Sequence, residues 1–473
     1  MRVIAALLFL SICLNGRTQG NLSMKEKMDD IDYLKNALLF AHPSTGRYTP
    51  KDTIISQLDE LKRSVDSDAQ SAAFRLEIAR IVSQMKCVHT SVLRGNQGSR
   101  KSIRKMGPPS IMPVQFFYDG TDLWVAKSYF DSLKMIEGMR VDSLDRRSVS
   151  EIMDRIMGFR SGDGYSPVFM QTMINWKVNF SSLYKAYYQP DSIVTAVLSK
   201  NSERRIVRIP FAQTKIPATG KPSQDLIFST PNHRFWMDSI SGAGVLRIAA
   251  FNPQKKVNRF YRNIFNYLSE HEIKNLIIDM RWNTGGNIHE AEKLLSYTVD
   301  TTVFFTLERS KSALGRYTTF MSNYLAFMNF MKRKVISFAR RYRQGELFIL
   351  EQKTKPQKKN RFTGNVYVIQ NGFTASSGSF VSTYLKEHVQ AIIVGTESGG
   401  GAAGNNGLFY ATSKLPNSKI KVRMPQYWLN YHLIPDKGRG VLPDIPVRYS
   451  IDDIMRKKDL EMVEIRKLIR QRS

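Results

Sequence analysis

The chain has 473 residues, 42% of them hydrophobic. That is enough for two or three domains with real cores, and it excludes a disulfide-stapled mini-protein or a disordered chain. Charged residues make up an ordinary 23%, but 70 Lys and Arg against 41 Asp and Glu leave a formal net charge of +29. No nucleic-acid motif accompanies that excess, so nucleic acid is not an expected partner. An anionic envelope surface or an acidic substrate would suit it, and a generally basic, solubilising surface is the reading favoured.

The N-terminus reads as an export signal. Arg2 supplies the positive start, and residues 3–14 form an apolar run of 12 residues. Such a run is too short for a stable bilayer span and has the length of a signal-peptide core. Thr18, Gln19 and Gly20 suit cleavage, which predicts a signal at 1–20 and an exported, periplasmic or secreted chain. A lipidated Cys13 is disfavoured because Ile12 is a poor residue before it. Removing the signal leaves Cys87 alone, so no intrachain disulfide can form and Cys87 is expected as a small buried hydrophobe.

Residues 21–105 read as a helical domain. Ile31, Leu34, Leu38 and Leu39 recur at helical spacing, then Ile54, Ile55, Leu58 and Leu61, then Phe74, Ile78, Ile81, Val82 and Met85. Pro43 and Pro50 punctuate the first connection. Residues 106–235 read as β-rich, with strands at 114–118 and 123–126. The stretch 136–156 reads strand, turn, strand, then a helix from about Ser148, and it resembles a unit of PDZ-like peptide-binding domains. Residues 236–450 alternate strand and helix: strands at 245–248, 275–279, 366–370 and 391–394, helices at 260–268, 291–295 and 375–388. That rhythm predicts an α/β core with crossovers packed on a sheet. The stretch 315–344 is Met- and Phe-rich and basic, and is expected as a lid or packing helix with a solvated face. Residues 451–473 read as a basic helix.

Four segments carry candidate chemistry. Ser376 lies in QNGFTASSGSF (370–380), just past a strand end and in the first turn of a helix. Free N–H groups and a partial positive charge there favour a developing alkoxide, although Thr374 and Ser376 could equally be helix caps. DMRWNTGG (279–286) places two glycines after a strand, where backbone N–H groups can line a cleft. VGTESGGG (394–401) is a second glycine turn without the ending of a phosphate loop. GVLPDIPV (440–447) is a turn between apolar runs.

In this order the four segments resemble the C-terminal processing (tail-specific) peptidases, a family that includes the tricorn protease core. AHPSTGRY (41–48) and CVHTSVL (87–93) look like segments of its tricorn-like exported branch. The resemblance implies an α/β fold: a crossover-rich peptidase core of ClpP/crotonase-like ββα units, an N-terminal helical domain and a small PDZ-like β-rich domain. It implies Ser376 as nucleophile, His89 as general base, and an oxyanion hole from Ser377 and from Gly285 or Gly286. Asp436 is the candidate orienter of His89. The 287 positions between His89 and Ser376 are no obstacle, because such centres form in space. The implied partner is a peptide or an unfolded protein segment, and no cofactor is implied.

The chain also departs from the pattern. The lysine of the Ser-Lys branch falls on Gly401, which leaves a His-based mechanism. Ser379 replaces the acidic residue after the nucleophile, and Cys87-Val88 stand where Asp-Gly precedes the histidine. No zinc-protease motif exists, since His271-Glu272 and His289-Glu290 lack a second histidine four positions on. Cys87 as a nucleophile has no supporting motif. Two functions therefore stand side by side: an active exported serine endopeptidase, and a catalytically impaired protein of the same fold that binds peptide or envelope.

Overall fold

The computed structural model describes residues 22–65, 71–93, 110–214, 225–252, 257–310, 340–344 and 347–472. The expected signal with Cys13, and residues 315–339 of the basic stretch, lie outside them.

Three helices, Met24–Ala41, Lys51–Ser64 and Ser71–Ser83, open the chain. The first begins with a capping box in which Ser23 and Glu26 exchange hydrogen bonds. Its fully buried Ile31, Leu34 and Leu38 meet Ile54, Leu58 and Ile78 of the other two. The same cluster takes in Leu415, Val422 and Met424 from a long hairpin, Gly404–Lys414 and Lys421–Asn430. Asp30, with no exposed surface, accepts the N–H groups of Asn417 and Ser418 at the hairpin turn, both at 2.7 Å. The helical layer is therefore built onto the C-terminal half of the chain.

A second unit centres on an antiparallel sheet of Val114–Tyr118, Leu123–Ser128, Arg140–Leu144, Ile193–Lys200 and Glu203–Pro210. Ser148 caps the helix Val149–Met157 by accepting the Glu151 N–H at 3.2 Å. Two further helices, Val168–Ile174 and Asn179–Tyr188, were not expected from the sequence. The first is only 7 residues long, too short to show a period.

The third unit is a seven-stranded sheet in the order Phe228–Ser229, His233–Asp238, Ala243–Ile248, Asn275–Asp279, Asn365–Gln370, Ile392–Gly395, Ile445–Pro446. From Ala243–Ile248 onward every neighbour is parallel. Both faces are covered, which is why the strands read as unbroken apolar runs. Leu246, Leu276, Ile278 and Val368 pack against Phe260, Ile264, Leu294 and Phe380 from helices on one side. Val245, Ile277, Tyr367 and Ile369 pack on the other against Met462, Ile465 and Ile469 of Leu460–Arg472.

One expectation is corrected. Residues 340–344, read as helical, form the strand Arg340–Gln344, antiparallel to Leu347–Thr354. In its register Arg340 stands opposite Glu351 and Gln344 opposite Leu347.

Candidate active site

Parallel strands deliver their following loops to one edge, the usual place for a site in an α/β sheet. Here Asn275–Asp279, Asn365–Gln370 and Ile392–Gly395 lie side by side and send three loops to the same edge. Backbone hydrogen bonds lock the loops together. Met280 N–H donates to Ile369 O at 2.8 Å, Ala375 N–H to Asn283 O at 3.0 Å, and Gly400 N–H to Thr374 O at 3.1 Å. The Thr374 hydroxyl donates to Met280 O at 2.9 Å.

Ser376 stands at the centre of this lattice, just ahead of the helix Ser377–Val389. Its backbone is at φ 55°, ψ −123°, and its side chain makes no capping bond. A non-glycine residue there costs on the order of 1–3 kcal/mol, held in place by the surrounding structure. Thr374 and the lattice, not a serine cap, therefore define the turn. Ser377 N–H is one of the free donors of the helix N-terminus. Its hydroxyl donates to Gly286 O at 3.2 Å.

The glycine turn after Asp279 lies directly against this serine. A Cβ on Gly285 (φ +94°) would stand 2.5 Å from Ser376 Cβ and 2.9 Å from Ser377 N. A Cβ on Gly286 (φ +142°) would stand 1.8 Å from Phe251 O. Only glycine fits either position. The Gly285 N–H is already directed to Asn283 Oδ1 at 2.8 Å. Gly400 closes the other side, where a Cβ would meet Ser379 Oγ at 2.3 Å and Ser376 N at 2.8 Å. Ser379, in place of an acidic residue, donates its hydroxyl to Ser376 O at 2.9 Å.

His89 sits on a tight turn closed by Thr90 N–H donating to Cys87 O at 3.0 Å. It is 8% exposed and packs against Tyr410, which Arg423 covers at 3.8 Å. Burial pulls its pKa down to about 3, helped by repulsion from Arg423 and Arg160. The imidazole is therefore neutral and carries a free lone pair at ordinary pH. Asp163 ties this turn to the glycine turn beside Ser376. One of its oxygens accepts Val88 N–H at 2.9 Å and the other accepts Gly401 N–H at 3.2 Å. Gly401 is the neighbour of Gly400, which abuts Ser376. Burial raises the Asp163 pKa to about 7 against the lowering effect of those two donors.

Asp436 is held by other groups. Its carboxylate accepts from Tyr48 Oη at 3.2 Å, Arg47 at 3.1 Å and its own turn at Gly438 N at 2.9 Å. Among the described residues no hydrogen bond joins it to His89, and the carboxylate beside His89 is Asp163. Beside it, a cavity of about 380 Å³ is lined by Arg47, Ala403, Trp428, His432 and Asp436, among others. Glu397 of the second glycine turn grips Arg439 at 2.9 Å and Gly440 N–H at 2.8 Å, which makes it a strut. Cys87 is buried as expected, at 1% exposure.

Sequence reasoning missed the 159–176 segment entirely. Besides Asp163, its Gly164 N–H donates to Lys86 O and its Tyr165 N–H to Gly438 O. Phe169 meets Phe373, and Trp176 meets Trp282 at 4.5 Å. The segment touches the His89 turn, the loop before Ser376 and the 438 turn together. The Gly-Asp-Gly at 162–164 was its only sequence signal.

Residues 242–447 match the family model of peptidase family S41. Mature CPAF complexed with lactacystin superposes with a TM-score of 0.65 at 14% identity, over 95% of this chain and 98% of that one. Mature CPAF alone gives 0.63 at 14% identity, over 95% and 97%. The photosystem II D1 C-terminal processing protease gives 0.41 at 14% identity, over 91% and 96%. No curated protein matches the chain. At such identities the CPAF superpositions speak for the fold, and the family rests on the match over the core. Over residues 242–447 the chain is thus similar to peptidase family S41, and that match supports reading it as a serine peptidase.

Proposed function

We propose that this protein is an exported endopeptidase that cleaves peptides or unfolded segments through an acyl-enzyme on Ser376, with His89 as general base. Neutral His89 takes the proton of the Ser376 hydroxyl as its oxygen attacks the scissile carbonyl, then returns it to the leaving amine. The oxyanion is held by Ser377 N–H and by the glycine turn. Within that turn Gly286 N–H is the better second donor, because Gly285 N–H is directed to Asn283. The cavity by Trp428 and Arg47 is the candidate place for a substrate side chain.

One observation carries the reading. Ser376 is held in a strained backbone conformation, with Gly285 against its Cβ and a free helix N–H beside it. A structural serine has no need of any of these.

The test is fluorophosphonate labelling of the mature protein beside Ser376→Ala and His89→Ala. Labelling that vanishes in the first and falls at least tenfold in the second is the expected result. A folded wild-type protein that takes no label and cleaves no unfolded substrate would leave the peptide-binding reading in its place.

A further inference from the structure

The turn that carries His89 holds more than a base needs. A ring nitrogen of His89, the sulfur of Cys87 and a carboxylate oxygen of Asp163 all lie within 4.8 Å of one another. The three side chains are 8%, 1% and 1% exposed. His89 Nδ1 is buried and has no hydrogen-bond partner. A polar atom so placed loses its water without compensation, which costs roughly 1–3 kcal/mol unless something binds it. Nitrogen, sulfur and carboxylate oxygen are together the donor set of zinc.

We propose that Cys87, His89 and Asp163 form a zinc-binding site, and that occupying it silences the peptidase by taking the lone pair of its base. The silencing half rests on the role proposed for His89; the binding half does not. Tetrahedral zinc with bonds of about 2.0–2.3 Å places its donors roughly 3.3–3.8 Å apart, so the three close on an ion with shifts on the order of 1 Å. The fourth position is left for water. On binding, the Cys87 S–H bond breaks, its proton passes to solvent, and the sulfur bonds the metal as thiolate.

The surroundings select the ion. Arg160 and Arg423 both act electrostatically on His89, and their charges oppose a cation. Two anionic donors, thiolate and carboxylate, offset a 2+ charge. A thiolate favours zinc over magnesium or calcium, which seek oxygen. Two of the three ligands also have polar groups around them, as metal ligands require. The Thr90 hydroxyl, the His89 N–H and the Asn406 amide surround the sulfur. Val88 and Gly401 N–H hold the carboxylate, and Tyr410 stacks on the imidazole.

The experiment titrates chelator-washed mature protein with zinc sulfate, reading binding by calorimetry and the active serine by fluorophosphonate labelling. The expected result is one saturable site, a higher melting temperature, and labelling reduced at least tenfold and restored by chelator. Cys87→Ser and Asp163→Asn should each weaken zinc affinity at least tenfold and raise the half-inhibiting zinc concentration in parallel. His289→Gln, at an exposed His-Glu pair, should leave the affinity unchanged. Absence of saturable binding overturns the proposal, as does wild-type affinity in both Cys87→Ser and Asp163→Asn. Binding that depends on these residues but leaves labelling untouched overturns the silencing. A protein that binds zinc yet never labels even without it keeps the site and refutes the peptidase reading.

Discussion

The two halves of the proposed active centre are built by different means. The nucleophile half consists of consecutive loops from adjacent parallel strands, fastened by backbone hydrogen bonds and relieved by glycines. The base half is assembled from segments 75 and 238 positions apart, joined by the one buried carboxylate of Asp163. A backbone lattice spreads its energy over many small contributions. A buried charged strut concentrates it in one side chain, where a single change leaves donors unsatisfied. Shortening a side chain in the first half should therefore cost chemistry without stability, and in the second it should cost both.

The largest test of that contrast is Ser376 itself. Ser376→Ala should lower turnover by at least about 10³-fold. Ser376→Gly should be equally inactive yet more stable, by roughly 1 kcal/mol, because glycine relieves the positive φ. A destabilised glycine variant in chemical denaturation would break the contrast. Gly285→Ala comes next, with a Cβ forced against Ser376 Cβ. It should cost about 10²-fold in turnover, in the range of a lost oxyanion donor, and about 1–3 kcal/mol of stability, because the same Cβ meets the Ala375 and Ser377 backbone at a positive φ. On the other half, Asp163→Asn keeps one acceptor and turns an amide toward a backbone donor. It should reduce both activity and unfolding free energy, the latter by about 1–3 kcal/mol. Unchanged stability there would show that the two halves are held alike.

The smallest effect concerns acid. Burial would raise the Asp279 pKa, but the charge and hydrogen bonds of Arg281 hold it below its ordinary value. Its stabilising contribution is complete above the unfolded carboxylate pKa of about 3.9 and is lost as pH falls through the lower folded value. Unfolding free energy should thus fall below about pH 4. The fall should be shallower in Asp279→Asn, followed by denaturant titration at several pH values.

The same contrast explains what could be read from the sequence. The strand over Asn275–Asp279 was legible to the residue because both its faces are buried and its apolar run is unbroken. Ser376 was legible because strand end, small residues and helix start fall within seven positions. Asp163 was not, since its partners are backbone N–H groups that carry no sequence identity. Asp436 drew attention by its nearness to the Gly-Val turn, but Tyr48 and Arg47 claim it from the N-terminal region. The strand Arg340–Gln344 was misread because five residues dense in arginine show no alternation until Leu347–Thr354 is placed beside them.

The Asp163 strut has a consequence for the order of events in synthesis. Val88 emerges first, Asp163 75 residues later and Gly401 238 residues after that. A nascent chain therefore exposes its histidine turn long before Ser376 stands near it, and the proposed centre closes only once Gly401 has been made. On the roles proposed for His89 and Ser376, hydrolytic capacity waits on a contact between distant segments, so a chain that has not yet made it is unable to attack its neighbours or itself.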